Sequence, residues 1–380
     1  MPKSNLDVSK PTESAAPSNG NRRISRRKLL GGAAAAGAAL PVLHELVPHR
    51  GLHHALDGAS AATTGHAAHR ASDPAAHSAA GMRSHNDFAG GREVDHRANG
   101  FDPSAMVRDF DWGTTRRLAS GRVLREWEIE AIDKEIEVAP GVKYAAWAYN
   151  GRVPGPTLRC REGELLRIKF GNGSAHPHTI HFHGVHPAVM DGMPGIGEGI
   201  GGGLVPTGGS FTYEFDAEPF GMHLYHCHAT PLAAHIAKGL YGAFIVDPKR
   251  GREDADELIM VMNAFDTNFD FGNEVYAVNS IGFHYAKHPI RVKQGELVRI
   301  YLMNIVEFDP INSFHVHANF FHYFPTGTSL EPVELTDTIA QVQGQRGILE
   351  LRFPYRGRYM FHAHKTEFAE LGWLGFFEVV

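Results

Sequence analysis

His223–Leu240 reads HLYHCHATPLAAHIAKGL, and its centre, His226-Cys227-His228, organises the rest of the chain. Side chains alternate along an extended strand. Cys227 can therefore face one way while His226 and His228 face the other. One short piece of backbone would then join a sulfur ligand to two imidazoles and wire two metal centres together. Such a device needs further ligands on both sides.

The surroundings read as strands. VLREWEIEAIDKEIEVAPGVKYAAWAYNG (123–151) alternates and breaks at the turn Pro140-Gly141, and PTLRCREGELLRIKFGN (156–172) gives two strands around Glu162-Gly163. GGSFTYEF and GLYGAFIVDP complete a set of short strands separated by Gly and Pro turns, which predicts an all-β sandwich or barrel. After the charged connector KRGREDADE the plan repeats. PIRVKQGELVRIYLMN matches PTLRCREGELLRIKFGN, NSFHVHANFF matches HTIHFHGVH, and GRYMFHAHKTEF matches GMHLYHCHATPL. The chain is thus a duplicated β-sandwich.

Composition sets bounds. A chain of 380 residues can bury two cores, and 37 basic against 42 acidic residues point to no nucleic-acid partner. There are 25 histidines and only 2 cysteines, so no disulfide framework exists. Cys160 reads as a small buried strand residue.

The N-terminal region is of another kind. Arg26-Arg27 before Leu29-Leu30 and a short Ala/Gly-rich run resembles a twin-arginine export signal across residues 1–61, with cleavage after Ala59-Ser60-Ala61 or none. The run is too short and Gly-rich for a stable transmembrane span. Residues 62–100 read as a flexible His/Ala/Gly-rich linker; His53, His54, His66 and His69 belong with this solvated region and are not site residues. The expected location is periplasmic, cell-surface or secreted.

Four His-x-His pairs stand out: His181/His183, His226/His228, His315/His317 and His362/His364. One such pair means little. Four at corresponding places in a duplicated fold predict a metal cluster, because eight converging imidazoles repel when protonated and are costly to bury unpaired. Imidazole alone does not name the metal. His178 and His235 add a His₂Cys set around Cys227, which is the blue-copper arrangement. Leu240 stands where an axial methionine is expected, a non-coordinating residue that predicts a raised reduction potential.

HFHG, HCH with a downstream His, the H-x-H pairs of the second half, and the framing NGRVPGPTLR and MDGMPG together resemble multicopper oxidases over residues 101–380. The resemblance implies two cupredoxin-like Greek-key β-sandwich domains, 101–248 and 256–380. It implies four coppers per chain, with dioxygen as co-substrate. His178, Cys227 and His235 would hold type 1 copper; His181 and His315 type 2; and His183, His226, His228, His317, His362 and His364 the type 3 pair. Asp191 matches an acidic position that donates protons in some relatives, while a turn-forming Asp-Gly is the plain alternative; Glu367 and Glu370 are weaker candidates. Asn312 and Ala363 replace a His and the Cys in the second half, so one type 1 site is expected. That pattern resembles two-domain laccase-like enzymes, which implies a homotrimer with the cluster between subunits.

Copper nitrite reductase is the alternative resemblance. His178, Cys227 and His235 fit it equally, but its type 2 site has an aspartate where this chain has His181 and leaves several histidines without a role. A non-enzymatic electron carrier is the third reading, and it needs only the His₂Cys set. The electron donor, a small molecule or redox protein, is not legible. His176, His186, His223, His284, His288 and His322 read as surface or supporting residues, and Met190, Met193 and Met222 as packing.

Overall fold

The alternating segments fold as strands in the computed structural model, which describes residues 92–193, 203–309 and 311–380. The export-signal reading and residues 62–91 of the linker lie outside the described residues. The first half forms β1 (Thr114–Arg117), β2 (Val123–Ala139), β3 (Val142–Tyr149), β4 (Leu158–Arg161), β5 (Leu165–Asn172), β6 (His181–Phe182), β7 (Ser210–Asp216), β8 (Gly221–His226) and β9 (Tyr241–Asp247). The second forms β10 (Asp256–Phe265), β11 (Val275–Val278), β12 (Ile290–Val292), β13 (Leu297–Asn304), β14 (Ile311–Val316), β15 (Phe321–Pro325), β16 (Glu334–Thr336), β17 (Thr338–Val342), β18 (Arg346–Arg352), β19 (Gly357–His362) and β20 (Leu374–Val379).

Each half is a pair of facing sheets. In the first, β1-β2-β5-β7, with β3 also on β2, faces β4-β9-β8-β6; in the second, β11-β10-β13-β18-β15-β16 faces β12-β20-β19-β14-β17. The duplication extends to direction and register. Parallel β2/β5 and β4/β9 recur as β10/β13 and β12/β20. His181 pairs with His226 and Phe182 with Tyr225; correspondingly His315 pairs with His362 and Val316 with Phe361. Two tandem cupredoxin-like sandwiches are what the sequence predicted.

Three apolar clusters fill the layers. One lies inside each sandwich; the third packs Met222, Leu224 and Ile245 against Val261, Tyr301 and Ile348, joining the two. β8 serves two of them by alternation. Tyr225 points into the first sandwich and Cys227 follows it just past the strand end, while Met222 and Leu224 point toward the second. A buried ion network spans the connector: Arg159 grips Asp247 in bidentate fashion at 2.9 and 3.0 Å and also reaches Glu257, which binds Arg299 at 3.1 Å.

The ordered fold begins before Phe101, where the sequence reading started it. Asp95 caps the helix His96–Asn99 through the Arg97 and Ala98 amides, Val94 is buried, and Asn99 exchanges hydrogen bonds with Glu137 of β2. Within residues 92–100 Val94 and Asn99 are buried and His96 half-buried, while the others are exposed. No helix among the described residues is long and apolar enough to cross a membrane.

Candidate metal centre

Cys227 is fully buried at the end of β8, and two imidazoles from separate loops meet its sulfur. His178 precedes β6, and His235 sits on the short helix Leu232–Ala237 that returns the chain to β9. Cys227 Sγ lies 3.2 Å from His235 Nδ1 and 3.7 Å from His178 Nδ1, and the two nitrogens are 3.1 Å apart. All three donors thus converge on one small space.

The surroundings prepare these donors. Ser174 Oγ donates to Asp133 Oδ1 at 2.6 Å, so at 2.9 Å it accepts from His178 Nε2–H. That bond fixes the tautomer and leaves the Nδ1 lone pair facing Cys227. Burial pushes the Asp133 carboxyl up, but the Ser174 hydroxyl and Ala175 amide outweigh it and hold the pKa below the ordinary value. Burial, followed by neighbouring imidazole charge, brings His178 and His235 down to about 4, so both rings are neutral at neutral pH, the form that can ligate a metal. Burial pushes the Cys227 thiol up, against the amides of Ala229 and Thr179. A cation at this point would favour the thiolate that burial alone disfavours. The Trp147 ring meets His178 edge to face and His235 at a tilt, with centroids at 5.2 and 4.7 Å, and Leu240 is buried in the same apolar cluster as Cys227.

On the other face of the HCH segment His226 and His228 join His181 and His183. His315, His317, His362 and His364 form the same figure in the second sandwich. From His181 to His183, His226 and His228 the ring centroids are 4.9, 5.4 and 5.4 Å; from His315 to His317, His362 and His364 they are 5.1, 5.4 and 5.4 Å. His183 Nε2 faces His226 Nε2 at 2.9 Å, and His317 Nε2 faces His362 Nε2 at 3.1 Å.

Backbone carbonyls set the tautomers here too. A carbonyl only accepts, so Nδ1–H donates from His181 to Asp191 O, from His226 to Cys227 O, from His315 to Asp337 O and from His362 to Ala363 O, at 2.8 to 2.9 Å. With Nδ1 so committed, Nε2 is the nitrogen left for a metal in each of these rings. Burial lowers His226 to about 4 and His183 to about 2, and lowers His181, His317 and His362 as well. The donor sets suit copper: a trigonal His₂Cys group and, separately, groups of neutral imidazoles.

The two four-histidine sets do not meet within the chain. Among the described residues no ring contact or hydrogen bond joins one to the other. Their exposure also differs: His226 is buried and its three neighbours half-buried, whereas His317 and His364 are exposed.

Asp191 lies against the first set, its Oδ1 3.4 Å from His181 Nδ1. The chain turns tightly there, because a Cβ on Gly192, at φ +75°, would stand 2.1 Å from Ile180 O. Sequence reading missed the counterpart. Asp337 holds the same relation to His315, with its carbonyl accepting the ring N–H and Oδ1 at 4.0 Å. Asp133, Ser174 and Thr179, whose amide points at Cys227 Sγ from 3.4 Å, were also missed. None of them stands at a motif spacing; only the His181/His315 equivalence could have directed attention to Asp337. Glu367 and Glu370 are exposed on the helix Thr366–Glu370, with Glu367 beside Lys365 at 3.6 Å. Met222 is buried in the cluster that joins the two sandwiches, Met190 packs against the first core, and Met193 is exposed.

Known proteins resemble this chain. The chain is 65% identical to a multicopper oxidase of known crystal structure, with a TM-score of 0.74 over 76% of this chain and all of that one. A blue copper oxidase from Nitrosomonas europaea matches at 26% identity and a TM-score of 0.61, over 67% of this chain and 86% of that one. The copper-containing nitrite reductase of Neisseria gonorrhoeae is 30% identical over 69% of this chain and 67% of its own length. Two multicopper oxidase family models fit the two halves in succession, residues 131–251 and 254–380. Repeated sandwiches, a buried His₂Cys set and two matched imidazole sets thus agree with descent: the chain is a copper-binding oxidoreductase of the multicopper oxidase family.

Proposed function

We propose that the protein couples one-electron oxidation of a small-molecule or redox-protein donor to the four-electron reduction of dioxygen to water. The observation that carries this reading is the pair of matched four-histidine sets. A carrier needs only His178, Cys227 and His235, and eight further imidazoles gathered in two matched sets fit a multinuclear oxygen site. Type 1 copper would be held by those three residues beside Leu240. His181 and His315 would hold type 2 copper, and the other six histidines the type 3 pair. Copper there would supply one-electron redox steps at the thiolate and the binding and reduction of oxygen among the imidazoles.

The chain's own part is wiring, proton supply and exclusion. The Cys227 backbone links its sulfur covalently to His226 on one side and His228 on the other, so an electron crosses the segment without leaving bonded atoms. Four protons are needed per dioxygen. Asp191 and Asp337, each against the first histidine of its set, are the carboxylates placed to hold them. Because the two sets do not meet in one chain, we infer that one chain's first sandwich completes its site with a neighbour's second, in a homotrimer. Export by the twin-arginine route to the periplasm, cell surface or medium is part of the same reading, since that route carries folded proteins.

Nitrite reduction is the second reading, favoured by the identity to the Neisseria enzyme. Copper content, EPR and turnover separate the two. About four coppers per chain, including an EPR-silent pair, with oxygen uptake on donor addition support the oxidase. Two coppers with nitrite turnover would overturn it. Cys227→Ser is expected to abolish the blue absorption and donor oxidation while most of the remaining copper stays bound.

A further inference from the structure

A separate group of ligating side chains lies where the N-terminal segment crosses the second sandwich. His96 comes from the helix His96–Asn99, Asp102 caps the next short helix, and His284 lies on the helix His284–Lys287 after β11. One donor atom from each falls within 4.8 Å of the others. Asp102 Oδ1 stands 3.7 Å from His284 Nε2 and 4.0 Å from His96 Nε2, and the two rings meet edge to face at 5.1 Å. Ser104 Oγ is 2.7 Å from His284 Nε2. The His288 ring lies 4.8 Å from that of His284, and Glu93 holds it at 2.7 Å.

His96 is the informative member. Its Nδ1 is buried without a hydrogen-bond partner in the protein, and its Nε2 is too far from Asp102 for a direct bond. That buried Nδ1 is unfavourable as it stands, while Nε2 of His96 and Nε2 of His284 both lie around Asp102 Oδ1, within reach of one shared ion. His284 is held neutral: burial, then the charges of His288 and His96, bring it down to about 3. Donors bound to one tetrahedral zinc-like ion at 2.0–2.2 Å stand about 3.4 Å apart, so the observed spacings need only small side-chain shifts. Asp102 keeps a half-exposed carboxylate on the outer side, which leaves a path for an ion.

We propose that His96, Asp102 and His284 form a binding site for a divalent ion of the zinc class, distinct from the copper centres. The ion would staple the N-terminal segment, through Glu93–Asp102, onto the second sandwich. That segment already buries Val94 and Phe101 in the cluster that joins the two halves. The site also explains why a histidine from the His-rich stretch ends in a packed position.

The test uses the full-length, copper-loaded protein with Zn²⁺ as probe. Zn²⁺ is expected to slow amide hydrogen exchange in residues 93–106 and 281–288 together, leaving the blue absorption unchanged. His96→Ala and Asp102→Asn, the latter retaining the helix cap, are each expected to weaken that effect at least tenfold in Zn²⁺ concentration. Equal protection in the variants would overturn the proposal. So would Zn²⁺ bound with no protection of either segment, which would place it on other histidines.

Discussion

Leu240 gives the residue scale its sharpest prediction. It is buried beside the His₂Cys set and offers no fourth donor. Leu240→Met would add a thioether that stabilises the cupric state, so the type 1 reduction potential should fall. Redox titration of the blue band measures this, and an unchanged potential would remove Leu240 from the axial position. The candidate donors were legible here because Cys and His stand in short, repeated motifs. The groups that orient them were not. Asp133 acts on His178 through Ser174 from 45 residues away, and nothing local to Asp133 in the sequence marks it.

At the scale of elements, one packing device occurs twice. Tyr225, just before His226, lies across Gly242 of β9; Phe361, just before His362, lies across Gly375 of β20. A Cβ on Gly242 would come within 2.4 Å of the Tyr225 ring, and one on Gly375 within 2.4 Å of the Phe361 ring. Each glycine lets an aromatic ring lie flat on the sheet and so sets the height of the next histidine. Gly242→Ala and Gly375→Ala should each cost about 1–3 kcal/mol through overpacking. Gly171→Ala, with open space around its Cβ, is the control expected to change little. Denaturant midpoints decide the matter. Strands like these were readable because alternation and turn residues repeat. The helices His96–Asn99 and Pro103–Met106 were not, being four residues each and held by caps and by contacts to residues such as Glu137 and His284 far along the chain.

For the whole molecule the histidines make two predictions. If sites form between chains, a variant with His181→Ala and His183→Ala mixed with one carrying His362→Ala and His364→Ala should recover activity on reassembly. Random mixing in a ring gives intact pairs at about one quarter of sites, whereas sites within a chain would give none. Oxygen uptake before and after mixing distinguishes them. The second concerns acid. In the copper-free protein His178, His226 and His235 take up protons only near pH 4, and His284 near pH 3, whereas unfolded histidines do so near 6.5. Between these values the unfolded state binds more protons, so stability must fall as pH drops below about 6.5. A loss of several kcal/mol by about pH 4 is expected from denaturation curves, and copper loading should itself weaken with acid because protons compete for the same nitrogens.

The separation of the two four-histidine sets has a consequence for an unassembled chain. Its thiolate set is complete, so in the proposed arrangement a solitary subunit could accept an electron, yet it would have only half of the place where oxygen is consumed. Quaternary assembly would then act as an interlock. Oxygen chemistry would switch on only when neighbours close the circuit, and chains still in transit would be spared the release of half-reduced oxygen.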